Sequence, residues 1–555
     1  MATHPPIARH LPLEMLYHWE RHCPDRIYLR QTINRQYQDY SWARVADEAR
    51  RMAAALQGLG LVAGDRVALL SKNCAQWFIA DLAMQMGRFV SVPIYPTANS
   101  DTIEYVLRHS EAKAVFVGKL DDWHGQEGGV PADLPRIALP YDTMPARYQW
   151  DELIANTQPI AGSPLQAPDE LLSLVYTSGS TGKPKGAMLS VERYAWSCEK
   201  LVQLVGLAED DRGFSYLPLA HITERVYIYG GSLYGGASVA FPESLETFID
   251  DVKRCRPTVF ISVPRLWAMF RAKIHEKLPQ HKLDILLKIP FVSSLIKRKL
   301  RDGLGLDQAR VLGCGSAPVA PALLEWYYRI GLNITEAWGM TENHAYSTLN
   351  YPFRADKIGS VGKAGPGVTL RISPEGEILC RCDGMMLGYY KDPDSSAATL
   401  DSDGWLHTGD MGKIDSEGYL TITGRMKDVF KTAKGKYVAP VPIEGMLGQE
   451  PLIEQLCVIG YGMPQPLALV QLVESAMQGD RDSIERQLEA ARVAVNEKLE
   501  AHAKLRGIYV VKQPWNIENG VLTPTMKIRR HLLEQRYAEL GNQWPQGKSV
   551  VWEEA

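Results

Sequence analysis

Residues Leu171 to Gly186 read LLSLVYTSGSTGKPKG. The first six form an apolar-rich run of strand length, the pattern of a strand buried on both faces of a parallel sheet. That run empties into TSGSTGKPKG, Thr177 to Gly186, where ten residues hold four hydroxyls, three glycines and two lysines. Hydroxyls and backbone N–H groups donate to phosphate oxygens, glycine lets the backbone approach closely, and lysine balances charge. A short Gly/Ser stretch is more often a plain flexible loop; the buried strand before it and the two lysines set this one apart.

Outward from this stretch, helix and strand patterns alternate. Ser41 to Leu59 reads as an amphipathic helix closed by Gly60, followed by a strand at Arg66 to Leu70, a helix at Ala75 to Met86 and a strand at Phe89 to Ile94. Further strand runs fall at Val239 to Pro242, Thr258 to Val263 and Val311 to Gly313. Alternation at this spacing predicts an α/β fold of doubly wound parallel sheets. Beyond about Cys380, short β-like runs separated by Asp403-Gly404 and Glu417-Gly418 predict a smaller antiparallel module. A compact tail follows Gly424, with Ile484, Leu488, Ala491, Val495 and Leu499 on one helix face. The expected division is residues 1–424, a link at 425–428 and a small α+β unit over 429–555.

A chain of 555 residues exceeds what one growing core supports, so at least two domains are expected. A net charge of -3 gives no electrostatic case for nucleic acid. The eight cysteines are scattered rather than set out as a disulfide framework, and Cys380 and Cys382 read as strand residues, which suits a reduced cytoplasmic setting. Neither a signal peptide nor an apolar span of membrane length is read.

Two familiar nucleotide patterns fail. A Walker A loop would need Ser or Thr after Gly182-Lys183 and Gly at 177, where the chain has Pro184 and Thr177. GCGSAP, Gly313 to Pro318, opens like a dinucleotide fingerprint and ends in proline. Kinase and dehydrogenase readings lose their anchor.

YTSGSTGKPKG resembles the signature loop of the adenylate-forming superfamily, and further motifs follow in that family's order, looking most like its long-chain fatty-acid–CoA ligases. The resemblance implies a β-barrel-like subdomain and a mobile C-terminal lid, with ATP and Mg²⁺ at the site. Thr177, Ser178, Gly179, Ser180, Thr181, Gly182 and Lys185 would hold phosphates. In WGMTE, Trp338 would stack on adenine beside Gly339, Thr341 would donate to the α-phosphate and Glu342 would hold the metal. Gly315, Ser316 and Ala317 would flank adenine on its other side. GWLHTGD supplies Asp410 for the ribose, and ITGRMKD supplies Ile422 and Arg425. LTPTMKIRR supplies Lys527, which would bridge the substrate carboxylate and the α-phosphate. A hinge is implied at Lys427, and Gly435 in FKTAKGKYVAP would face the pantetheine arm of coenzyme A.

A carboxylic acid with an ordinary pKa is already ionised at neutral pH, so adenylation needs charge management rather than a general base. LPLAHITERV resembles the long-chain version of the mid-domain motif, with His221 near the carboxylate; Glu224-Arg225 stand where several relatives carry an aromatic gate. The expected partners are a medium- or long-chain, straight or branched, fatty acid and coenzyme A, with a homodimer and peripheral contact at the inner face of a membrane as further expectations. Loading of a separate carrier protein is the alternative. Lys282 to Leu304 is basic and amphipathic, interrupted by Pro290, and reads as a solvated segment covering the acyl tunnel or lying on a membrane.

Overall fold

Each run read as a buried strand up to Thr177 enters one seven-stranded sheet of the computed structural model, which describes residues 9–141, 145–177, 183–477, 479–517, 519–523 and 527–554. Its order is Tyr148–Gln149, Arg136–Ala138, Ala114–Gly118, Arg66–Ser71, Val90–Ile94, Leu171–Thr177, Lys185–Ser190. All pairs are parallel except the last, in which the strands on either side of the signature loop run antiparallel.

The runs at Ser238–Phe241, Val259–Ser262 and Val311–Cys314 enter a second, nine-stranded sheet. Its centre is parallel from Ile27–Ile33 through to Ile334–Trp338. At its edges, Gln36–Ser41 on one side and Thr348–Leu349 then Lys363–Ala364 on the other pair antiparallel.

Helix Ala75–Met86 lies between the two sheets, and all of its 12 residues are buried. A helix apolar nearly all round finds its place only in such an interior. Phe78 meets Phe241 of the nine-stranded sheet edge to face at 5.1 Å. One turn on, Asp81 is 0% exposed and accepts a hydrogen bond from Arg225 Nη2 at 2.9 Å. Arg225 opens the π-helical segment Arg225–Gly230 and also donates to Ser91 Oγ (3.4 Å) and Ser173 Oγ (3.3 Å), on two strands of the seven-stranded sheet. Its carbonyl accepts the Tyr194 hydroxyl at 2.6 Å. One guanidinium therefore joins the inter-sheet helix, two strands and the chain segment that follows His221.

Thr369–Ile372, Glu377–Arg381, Leu406–Ile414 and Leu420–Arg425 form a four-stranded antiparallel sheet. The antiparallel region starts before the Cys380 expected from sequence, because the Ser373–Gly376 turn already reverses the chain. The sheet is tied to the edge strand of the nine-stranded one by the bridge between Lys363 and Tyr419, beside the Val361 N–H to Leu420 O bond at 2.9 Å. A one-turn 3₁₀ helix, Met426–Asp428, leads on to the hairpin Phe430–Lys431/Tyr437–Val438. After it comes a mixed four-stranded sheet with its own core around Val458, Val470, Leu488 and Ile508.

The basic segment folds as two helices, Gln280–Lys288 and Val292–Leu304. They pack with Phe260 and Leu312, whereas Val259, Ile261 and Val311, which alternate with those residues along the strands, join the core on the other face and line the cavity described below, whose wall Leu312 also reaches. The segment does not cover a tunnel; it covers the other face of the sheet.

Asp81→Ala should leave Arg225 buried and unpaired, lowering the unfolding free energy by about 3–5 kcal/mol. Urea denaturation checks this, and Asp81→Leu combined with Arg225→Met should recover most of the loss. A single-variant loss below about 1 kcal/mol, the size of a surface pair, would show that the contact does not hold the sheets together.

Candidate active site

The predicted residues gather where the strands of the nine-stranded sheet end and the antiparallel sheet begins. Strand Ile334–Trp338 runs into Gly339 and the 3₁₀ turn Thr341–Asn343. A Cβ on Gly339 would lie 2.5 Å from the Ala345 backbone, so glycine is the residue this crossing admits. Gly315 approaches Ala337 O in the same way, with a Cβ at 3.1 Å, and Ser316 takes a left-handed φ of 66° beside it. Ala317 is exposed.

Asp410, 5% exposed on strand Leu406–Ile414, is held from two sides. Trp338 Nε1 donates to Oδ2 at 2.9 Å and Arg425 Nε to Oδ1 at 2.9 Å. Ile422 packs with Trp338 and Ile378, fixing the indole edge-on to the carboxylate. Glu342, 7% exposed, accepts the Tyr389 hydroxyl on Oε1 at 2.5 Å. Lys185, at the start of its strand, donates to Ser395 Oγ and lies 3.5 Å from Asp392 Oδ2, with its Nζ 5.3 Å from the Tyr389 ring centroid. Thr177 Oγ1 bonds Lys185 O across the pair, at 3.5 Å. Ser178, Gly179, Ser180, Thr181 and Gly182 lie outside the described residues.

Lys527 arrives from the C-terminal unit, its N–H bonded to Thr523 Oγ1 at 3.0 Å. Burial pushes its ammonium down to about 8, and Arg425 pushes the same way against the pull of Asp410 and Glu342. Arg425, Asp410 and Glu342 are thus the charges that act on this amine. His221 is the fourth neighbour: burial, and then the Lys527 charge, hold it down to about 3, so it is neutral at pH 7. Its Nδ1 accepts Thr223 N–H at 3.2 Å, which leaves the proton on Nε2. Lys427 is exposed on the 3₁₀ turn, and Gly435, at φ 76°, sits at an exposed hairpin tip.

From Gly315, Ser316, Trp338 and Gly339 a cavity of about 50 Å³ extends to Leu201, Val205, Leu207 and Tyr351. No charged side chain is among its lining residues. Such a passage suits an aliphatic chain whose polar end stays at the mouth.

Sequence reasoning passed over Tyr389, Asp392 and Ser395, since GYYKDPDSS carries no chemistry of its own until the fold sets it against Glu342 and Lys185. It also passed over Asn73. This buried amide crosses from the seven-stranded sheet, donating to Leu217 O (2.7 Å) and Ser215 Oγ (2.9 Å) and accepting Leu219 N–H (3.3 Å). It thereby fixes the loop that carries His221. Glu224, where an aromatic gate was looked for, is turned into this hub, accepting Ser215 Oγ–H at 2.7 Å.

Comparison with known proteins adds the following. AMP-binding enzyme is matched over residues 16–390, and AMP-binding enzyme C-terminal domain over residues 427–543. The long-chain-fatty-acid–CoA ligase FadD15 of Mycobacterium bovis is 30% identical, over 94% of this chain and 95% of that protein. The long-chain-fatty-acid–CoA ligase ACSBG2 of Xenopus laevis is 28% identical, over 97% and 84%. Among solved structures, the anthranilate CoA ligase AuaEII in complex with anthranoyl-AMP superposes with a TM-score of 0.79 at 24% identity, over 97% of this chain and 99% of that one. The A domain of the carboxylic acid reductase of Segniliparus rugosus, in complex with AMP, gives 0.79 at 21% identity, over 95% and 93%.

Burial lifts Glu224 from 4.5 to about 8, with the Ser215 and Tyr216 hydrogen bonds opposing. The folded chain thus keeps a proton that the unfolded chain releases above about 4.5, and stability from this group falls as pH rises towards 8. Glu224→Gln, which cannot ionise, should melt above the parent at pH 8 and alongside it below pH 5, as followed by thermal melts across pH. A parent–variant difference that does not change with pH would refute the protonated Glu224.

Proposed function

The chain belongs to the AMP-binding enzyme family, and from that premise we propose that it activates a medium- or long-chain fatty acid, straight or branched, with ATP. The product is an acyl-adenylate, whose acyl group passes to coenzyme A with release of AMP and pyrophosphate. The observation that supports this reading is the set of charges acting on Lys527, those of Arg425, Asp410 and Glu342, together with a cavity without charged lining that Trp338 and Gly339 border. The likeness to long-chain-fatty-acid–CoA ligases along almost the whole chain supports it.

The work of the first half-reaction is electrostatic. An anionic carboxylate must approach a triphosphate, and Lys527 would face both. Lys185 and the signature loop would hold the outer phosphates, Thr341 would donate to the α-phosphate, and Asp410 would accept from ribose hydroxyls beside adenine at Trp338. Among the described residues no group of three or more metal-ligating side chains occurs. Glu342, with one oxygen fixed by Tyr389, suits an ion that draws its other ligands from phosphate and water, as Mg²⁺ does. That ion would supply charge neutralisation on the phosphates.

In the second half-reaction a thiol attacks the acyl carbon, so Lys527 has to withdraw. Residues 1–424 would form the stationary domain, 425–428 the hinge with Lys427 at its centre, and 429–555 the lid. The hairpin tip at Gly435 would then turn inward, where a side chain would obstruct the pantetheine arm.

A panel of fatty acids incubated with ATP and Mg²⁺, with and without coenzyme A, tests the reading through pyrophosphate and thioester release. Adenylate formation from these acids with no thioester from any of them would point instead to a carrier protein as acceptor. Lys527→Ala should slow pyrophosphate release by about 100-fold or more. Gly435→Leu should leave it intact and suppress thioester formation. Because φ at 435 is positive, Gly435→Asn, which tolerates that backbone, separates obstruction from strain. Equal loss of both half-reactions in the Leu and Asn variants would rule out the two-conformation scheme.

A further inference from the structure

Helix Ser100–Ser110 carries none of the motif residues, yet one of its faces meets both chain ends that flank the signature loop. Tyr105 and His109 stand one turn apart, so their side chains share a face, and their rings stack at 5.3 Å. On the entering side, His109 Nδ1 lies 2.8 Å from the hydroxyl of Tyr176, buried near the end of strand Leu171–Thr177. On the leaving side, the Tyr105 hydroxyl donates to Pro184 O at 3.1 Å, and Lys183 Nζ lies 5.6 Å from the Tyr105 ring centroid. Pro184 O belongs to the peptide whose nitrogen is that of Lys185, so holding the carbonyl sets that plane.

The two ends also meet each other. Tyr176 pairs with Gly186 across the strands, and a Cβ on Gly186 would stand 3.2 Å from the Tyr176 ring, so glycine lets the ring rest against backbone. Gly186 O accepts Tyr390 N–H at 2.8 Å, and the Tyr390 ring meets His109 edge to face at 5.8 Å. Lys391 donates to His109 O at 3.0 Å. The same segment, Tyr389 to Asp392, engages Glu342 and Lys185. Burial, and then Lys391, hold the His109 imidazole below its ordinary value against the pull of Glu111 and Asp392, so the ring is neutral at pH 7.

We propose that Tyr105 and His109 are positioning residues for ATP, bracing from one helix face the two chain ends that flank the signature loop and, through Pro184 O, the peptide that carries Lys185. A glycine-rich stretch loses much backbone freedom when it gathers phosphate, and fixing its ends beforehand lowers what binding must supply. Both residues act through Tyr176, Pro184 and Lys185, away from the reacting atoms. This role rests on the adenylation reading, in which the loop and Lys185 hold phosphates.

Calorimetric titration of the full-length protein with ATP and Mg²⁺ is the test, joined to KM values for ATP and for the acid in pyrophosphate release. Tyr105→Phe and His109→Leu should each weaken ATP binding and raise KM for ATP by about threefold to tenfold, the worth of one hydrogen bond, with KM for the acid unchanged. His109→Asn, which keeps a polar atom near the place of Nδ1, should recover most of the loss. Arg108→Gln, on the exposed side of the same helix, should bind ATP as the parent does. Parent affinity in both Tyr105→Phe and His109→Leu, or an equal rise in KM for the acid, overturns the brace alone. A parent that binds no ATP overturns the adenylation reading together with it.

Discussion

The buried pair between Asp81 and Arg225 is the constraint on which the site depends. An unpaired guanidinium in this interior would cost several kcal/mol, so the inter-sheet helix, two strands of the seven-stranded sheet and the segment after His221 must meet at one point. One of those strands, Leu171–Thr177, leads into the signature loop. The same contact that aligns the two sheets therefore sets the spacing between the end of that strand and the segment that carries His221. Asn73 adds a second tie from the same side, so His221 is positioned by the sheet to which it does not belong.

Next to Trp338 and Tyr389, two carboxylates are held before any ligand arrives. Asp410 has both oxygens engaged, and Glu342 has one of its two held by a phenol. These groups start desolvated and oriented, which lets a site stabilise developing charge without reorganising. The glycines serve the same end by close approach: at Gly339 the backbone of Ala345 stands where a side chain would begin.

Much of this was legible in the chain. Helix Ala75–Met86 matches its expected bounds, and the buried strands were found within a residue or two, because a long apolar run has few alternatives. Asp410, Arg425, Glu342 and Lys527 carry motif signatures, and the fold pairs Asp410 with Arg425. What stayed hidden lies in long-range pairing. Asp81 and Arg225 are separated by 144 positions, and neither declares a partner locally. Tyr389 reads as one aromatic among several, and the cavity is lined by residues whose apolar character suits a core equally well. The face covered by the 280–304 hairpin was misread for a related reason: amphipathicity tells that a helix packs, not on which side of a sheet.

The lowered pKa of Lys527 has a thermodynamic side. With its ammonium at about 8 instead of 10.5, part of the population is neutral in mildly alkaline solution. A polyanion entering beside it favours the charged form, so association draws a proton from the medium there and none at pH 6, where the amine is already charged. The heat of nucleotide binding near pH 8 then contains the ionisation enthalpy of whichever buffer gave up that proton. In calorimetry this becomes a slope against buffer enthalpy, positive in the parent and removed by Lys527→Ala, which makes one lysine a proton meter for occupancy of the site.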